Sequence, residues 1–379
     1  MRTCFIAGLL SLAALCQQSL AAPAAAANAS DTSMFSGWAP YVDIDLWRVS
    51  DAVPISEFES DWTNGFSPKS GRNVVLMRNR AAVGMENDRW RMGYEARQGA
   101  WLDTNRGTLE MFRLYKQRQD PDGPTVFPAD AHYKNWSAQG VRVGRRFDGF
   151  AIAGRMPRLF VSVAYYTNQR YRNDEIDGSV RYEGGGEYGF DVTRTDADYR
   201  AKLPFLDATP SAKGMSLSVA ADVPLSDALS LNVKIDDLWS RMRWQNLPAT
   251  YETISSNVTE TDSQGYLNYR PLLSGRNEQA NRSIVLTRYG AALLSYRPHA
   301  WQGWNVAAQV ERYAGVTIPT AIAAREFGWG TISARVETRF HTLGFGVDYG
   351  NFHLLLQTDT LKQSEAKAQA LQMRYARAF

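Results

Sequence analysis

The chain has 379 residues, 44% hydrophobic and 21% charged, with 42 Lys and Arg against 39 Asp and Glu. A charge so evenly balanced, a formal +3, excludes a polybasic nucleic-acid binder and an acidic disordered tail. A mean hydropathy of -0.37 excludes a bundle of membrane-spanning helices. Aromatic residues reach 12%, an excess that the architecture has to explain.

In chain order, Arg2 and the apolar run from Phe5 to Leu15 read as a signal peptide over residues 1–21, with Ser19-Leu20-Ala21 as the cut and Ala27-Asn28-Ala29 as an alternative. Both cysteines, Cys4 and Cys16, fall in it, and Leu15 is too large for a lipoprotein cut before Cys16. The mature chain then has no disulfide and no thiolate metal site. Residues 22–33 form an Ala-rich leader. The segment 34–71, with Trp38, Tyr41, Trp47, Phe58, Trp62 and Phe66, is too apolar for a linker. It reads either as a plug or periplasmic segment, or as extra strands, because Val42, Ile44 and Leu46 alternate with Asp43 and Asp45.

From residue 72 to 379 the dominant signal is period two, the period of a half-buried strand. Trp90, Met92, Tyr94 and Ala96 alternate with Arg91, Gly93, Glu95 and Arg97; Leu229, Leu231, Val233 and Ile235 alternate with Ser230, Asn232, Lys234 and Asp236. Predicted strands are 72–86, 88–98, 107–116, 133–147, 150–167, 177–184, 187–202, 213–223, 227–245, 283–297, 302–314, 330–349, 352–360 and 367–379. Tight connections at Asp148-Gly149, Gly185-Gly186, Pro224 to Ser226, Pro298 to Trp301 and Gly350-Asn351 alternate with long polar ones at 117–132, 168–176, 203–212, 246–282 and 315–329. Short turns at one end and long loops at the other are the plan of an up-and-down barrel in an outer membrane. Lipid offers no hydrogen-bond partners, so a spanning sheet must close on itself and each strand must alternate. The expected fold is therefore all-β: an antiparallel up-and-down transmembrane β-barrel of about 14 strands (12–16). Tyr and Trp residues such as Tyr94, Tyr165, Tyr166, Trp239, Tyr289, Trp301, Trp304, Tyr313 and Tyr349 are expected at the membrane interfaces.

The last residues, Leu371, Met373, Tyr375 and Phe379, recur at alternate positions, with Arg377 the one polar member of the series. This resembles the terminal strand motif of Gram-negative outer-membrane β-barrels, which implies recognition by the barrel-assembly machinery and a location in the outer membrane. The strand count alone is similar to that of the long-chain fatty acid transporter superfamily, although its Asn-Pro-Ala motif near the N-terminus is absent.

The ionisable residues on the face opposite the apolar one are candidates for lining the lumen: Arg78, Arg80, Arg91, Glu95, Arg97, Asp191, Lys234, Asp236, Arg335 and Glu337. Opposed charges on neighbouring inward faces pair across strands. In a narrow barrel such pairs fill the interior; in a wide one they line a water path with weak ion selectivity. His132, His299, His341 and His353 show no spacing for a catalytic triad or a metal, and Gly184-Gly185-Gly186 precedes no helix that would make it a phosphate loop. No enzyme and no cofactor is expected. The expected function is a channel or transporter for a small solute. The alternative is a non-catalytic scaffold or assembly partner of an envelope secretion or surface-appendage system, with 34–71 and 246–282 as contact surfaces. Expected partners are outer-membrane lipid, the barrel-assembly machinery and an unidentified envelope protein, with no nucleic acid.

Overall fold

A computed structural model describes residues 37–376, apart from 149–154, 205, 258, 262, 263, 265, 266, 270 and 299. The signal peptide, the leader, Arg377, Phe379 and His299 lie outside the described residues. The first strands are β1 (Ala39–Ser50), β2 (Arg72–Glu86), β3 (Trp90–Asn105), β4 (Thr125–Asp148), β5 (Arg158–Gly184), β6 (Glu187–Asp198), β7 (Ser211–Pro224) and β8 (Leu229–Ser255). After the short ribbon β9 (Thr259–Thr261) and β10 (Leu267–Tyr269) come β11 (Leu273–Ile284), β12 (Tyr289–Tyr296), β13 (Trp304–Tyr313), β14 (Val316–Phe327), β15 (Gly330–Glu337), β16 (Thr342–Tyr349), β17 (Phe352–Thr358) and β18 (Ala368–Ala376). One helix, α1 (Arg106–Gln117), links β3 to β4.

Sixteen strands form one sheet. Two of them, β6 and β11, pair only with neighbours on the long-loop side of β5 and β8. The other fourteen close an antiparallel ring, and the seam is β1 against β18, with Val42 opposite Tyr375, Ile44 opposite Met373 and Leu46 opposite Leu371. Of the two readings of segment 34–71, the extra strand holds for residues 39–50, which belong to the ring, and 51–71, with a 3-10 turn at Ile55–Glu59, follows at the long-loop end.

Alternation places Val83, Met92, Tyr94, Val141, Leu343, Phe345 and Leu356 on an exposed apolar outer face, and the charged members of the same strands inside. Leu371, Met373 and Tyr375 belong to the outer face. Aromatic rings crowd the short-turn end: Phe327 stacks on Trp329 at 5.7 Å, and Trp329 meets Tyr349 at 6.5 Å. Tyr296, Trp301 and Trp304 are exposed near them, as a membrane-interface girdle requires. Tyr166, Tyr289, Tyr313 and Phe340 are instead buried, so these rings belong to the interior.

Local expectations fail at several places, the connection 246–282 among them, since β8 runs on to Ser255 and β11 begins at Leu273. Residues 107–116 are helical: Leu109, Met111 and Tyr115 mimic alternation, but the stretch is rich in helix formers, and the Asn105 side chain caps it by accepting from the Thr108 N–H. Segment 168–176 is no loop but the middle of β5, where Arg172 and Arg194 interleave with Asp174 and Asp196 across β5 and β6. A strand wetted on both faces needs no apolar alternation, and the Gly184–Gly186 turn lies at the tip of this hairpin on the long-loop side. Segment 315–329 is β14, entered by a tight turn in which Ala314 and Gly315 both have positive φ, as a two-residue hairpin demands. Finally, 330–349 is two strands, turned at 338–341 with His341 at φ 56°.

Candidate functional site

In the interior of the ring, charged residues of several strands converge. On β2, β3 and β4 the inward positions are Arg78 and Arg80, then Arg91, Glu95 and Arg97, then Arg142 and Arg146. Glu95, 1% exposed, receives Arg80 at 3.1 Å and Arg142 at 2.9 Å, and Tyr166 of β5 donates its hydroxyl to the same carboxylate. Nearer the short turns, Glu86 gathers Arg374 at 2.8 Å and Arg146 at 3.3 Å, while Arg91 reaches Asp43 at 3.0 Å.

The centre of the site comes from an irregularity. Along β7 and β8 the register jumps: Leu217 faces Trp239, but Val219 faces Ile235. The extra residues form a bulge with Asp237 in the left-handed region at φ 57°. Two successive carboxylates, Asp236 and Asp237, therefore turn inward. Asp237 is fully buried and takes both ends of the Arg97 guanidinium, at 2.7 and 2.9 Å, along with the Ser216 hydroxyl. Arg97 is on β3 and Asp237 on β8, four places round the ring, so this bidentate pair spans the lumen. Asp236 pairs with Lys234 at 2.9 Å.

Above this charged layer lies an apolar one. Trp47, Leu76, Tyr313, Val316, Ile318 and Phe340 pack together, Trp47 meeting Tyr313 edge-on at 6.1 Å. The Tyr313 hydroxyl donates to the Met77 carbonyl at 3.3 Å, although β13 and β2 stand seven places apart either way round the ring. A circular ring of fourteen strands about 4.8 Å apart and tilted about 40° would be roughly 28 Å across. One tyrosine and one hydrogen bond reach only about 10 Å, the spacing of two packed sheets. The ring is pressed flat at this level. The Arg78 guanidinium, 3.6 Å over the Tyr289 ring and 3.2 Å from Asp45, repeats the crossing one turn of side chains lower. Two cavities inside, beside Arg78 and Arg335, hold about 10 and 20 Å3, room for about one water each.

Of the residues singled out from sequence, Arg78, Arg80, Arg91, Glu95, Arg97, Lys234 and Asp236 meet in this network. Arg335 borders the second small cavity, and its Nε has no hydrogen-bond partner. Glu337 borders the same cavity, and it also accepts from the Phe340 N–H and the Thr342 hydroxyl at the β15–β16 turn. Asp191 is corrected in place: it is exposed on β6, outside the ring. Sequence reasoning missed Asp237, Arg142 and Tyr166. The signal for the bulge is present, since the acidic pair Asp236-Asp237 followed by the apolar pair Leu238-Trp239 breaks the alternation. Among the described residues no cluster of His, Cys, Asp or Glu is arranged to hold a metal. His132 contacts Glu175 and Asn173 and packs edge-on against Trp101 at 4.4 Å, and His353 contacts Asp348.

No protein-family model matches the chain, and no curated protein matches it. Among solved structures it is similar to a mutant of the TodX monoaromatic hydrocarbon channel, with a TM-score of 0.42, 10% identity and 91% of each chain covered. It is also similar to the P. putida toluene transporter TodX, with a TM-score of 0.39, 10% identity and 90% of each chain covered. For the translocator domain of the autotransporter NalP from Neisseria meningitidis the TM-score is 0.30, with 11% identity, 92% of this chain and 90% of that one.

Proposed function

We propose that the protein is an outer-membrane channel for small polar solutes, held shut in the conformation described. The observation that carries this reading is the Arg97–Asp237 pair, which bridges strands that are not neighbours and holds the lumen across its width. Ionisable groups at membrane depth are costly, and a core of well-packed apolar residues would serve stability as well or better. A polar closure, unlike an apolar one, exposes groups that water and solute can solvate once the walls part. The near balance of cations and anions in the network supports weak ion selectivity. Entry into the outer membrane would use the signal peptide over 1–21 and the terminal series Leu371, Met373, Tyr375 and Phe379, read by the barrel-assembly machinery. The exposed apolar outer face would meet outer-membrane lipid.

Planar-bilayer recording tests the proposal. Wild-type protein gives rare openings; Asp237→Asn, which weakens the crossing, and Tyr313→Ala, which removes the apolar strut, open more often. Folded and inserted variants that never conduct, in vesicles that take up no solute, remove the channel reading. A second reading, a non-conducting scaffold for an envelope partner, is favoured by the small size of the cavities beside Arg78 and Arg335. It requires that crosslinking recover such a partner and that deletion within 256–272 abolish the capture.

A further inference from the structure

A cavity of about 350 Å3 lies against the outer wall, not in the lumen. Its floor is set by register: Val75 of β2 stands opposite Leu102 of β3, which stands opposite Tyr133 of β4, and Met77 stands opposite Ala100. All five share the outward parity of Val83, Tyr94 and Val141, the exposed apolar face. Its roof comes from the long-loop end: Phe58 and Trp62 of segment 51–71, and Leu109 of α1. The two roofing pieces are fastened together, because Lys116 of α1 donates to the Ser60 carbonyl at 2.7 Å and Gln117 to the Trp62 carbonyl at 3.2 Å.

Two features of Trp62 do not follow from packing. Its backbone sits at φ 56°, a conformation that a bulky residue adopts only under constraint. Its indole N–H is buried with no hydrogen-bond partner, which is costly for a donor. A cavity of this size with mostly apolar walls matches an apolar chain. Its position selects the source. The floor continues the face that meets hydrocarbon, so the tails of the surrounding bilayer reach it without leaving the membrane, whereas a solute in the lumen is on the other side of the sheet.

We infer that this cavity is a lipid site, taking the upper part of one acyl chain of a bilayer phospholipid. The lipid tethers the 51–71 and α1 overhang to the membrane surface. The inference rests on the barrel spanning a bilayer but not on conduction. Full-length protein is reconstituted in vesicles of phospholipid with or without brominated acyl chains. The emission of Trp62 is obtained as the difference between wild type and Trp62→Phe, and that of the outward Trp239, as a control, from Trp239→Phe. Loss of most Trp62 emission in brominated lipid, with emission regained in Ala100→Phe or Met77→Phe, either of which fills the floor, is the expected result. Trp62 emission indifferent to bromination while Trp239 is quenched overturns the site and leaves the membrane reading standing; indifference of both overturns the two together. Quenching by free brominated fatty acid in unbrominated vesicles, without quenching by the brominated phospholipid, overturns the bilayer lipid as occupant.

Discussion

The two sides of the ring follow different plans. From β2 to β8 the ring strands run 14 to 27 residues, and their inward faces carry most of the charged network. From β12 to β17 they run 7 to 12 residues and contribute fewer charges, Glu311, Arg335 and Glu337, among rings and hydroxyls such as Tyr289, Tyr313, Thr320 and Ser333. A tilted strand needs about 9–11 residues to cross a bilayer. On the short side β12, β15, β16 and β17, at 7 or 8 residues, fall just under this length, while β5 and β8 continue well beyond it as a wall completed by β6 and β11. The charges of the long side are satisfied largely among themselves, and the short side closes the remaining gap with aromatic contact. The division explains how a ring of fourteen strands can be narrow: one wall is stiffened by ion pairs, and the other is laid flat against it.

The largest expected effect tests the stiff wall. Arg97→Ala leaves Asp237 buried without its partner, and Asp237→Ala strands Arg97. Either change should cost about 3–5 kcal/mol of unfolding free energy, measured by urea titration of the barrel in vesicles. The double variant should be less damaging than the sum of the singles, since each single carries the penalty of an orphaned charge. Strictly additive losses would mean that the two side chains do not act as a pair and that the crossing is not what holds the walls.

The next effect separates inside from outside at adjacent positions. Val141 faces out and Arg142 faces in, on the same strand. Val141→Arg should cost about 2–4 kcal/mol if its level is the middle of the bilayer, because lipid cannot solvate the guanidinium. Gly140 and Ala138 share the inward parity of Arg142, yet a side chain added at Gly140 meets the Tyr165 carbonyl at once, so Ala138→Ser is the suitable inward comparison and should be nearly neutral. Equal tolerance of Arg at 141 in vesicles would contradict a lipid-facing outer wall.

How much of this was legible in the sequence follows from what sets each feature. Alternation reports a sheet with two unlike faces, so β2, β3, β7 and the first half of β8 stand close to where Arg78, Glu95, Ser216 and Lys234 put them. The signal vanishes wherever both faces meet water, which is why the middle of β5, with Arg172 and Asp174, reads as loop. It also misleads on α1, where Leu109, Met111 and Tyr115 fit either period and only the Asn105 cap decides. The charged inward face was readable strand by strand, but not its partners across the ring. Arg97 meets Asp237 because a bulge displaces one residue and because the ring is flat, and neither the depth of a bulge nor the section of a ring is written in local periodicity.

The smallest effect concerns the overhang, where neither wall is involved. Asp51, next after β1, is buried and binds Arg339 of the β15–β16 turn at 2.8 Å and Lys69 at 2.6 Å, and it accepts from the Val74 N–H. Burial pushes its carboxyl upward, but the two cations and the hydrogen bonds outweigh this and hold it below the ordinary value of 3.8. A carboxyl with a lowered folded pKa contributes stability that is complete above its unfolded value and is lost as pH falls through the folded one. Segment 51–71 should therefore loosen as the pH drops below 3.8, seen as faster nicking by pepsin, while the ring stays intact. Asp51→Asn should nick faster already at pH 5. The gain is about 1 kcal/mol, roughly a fivefold rise in opening, small because Lys69 is half exposed and Arg339 a quarter exposed. Its rate should change little on acidification, because the titrating group is gone. If wild type and Asp51→Asn accelerate in parallel as the pH falls, the latch lies elsewhere, and Lys367, which donates to the Ala52 carbonyl from the β17–β18 connection, is the contact to remove next.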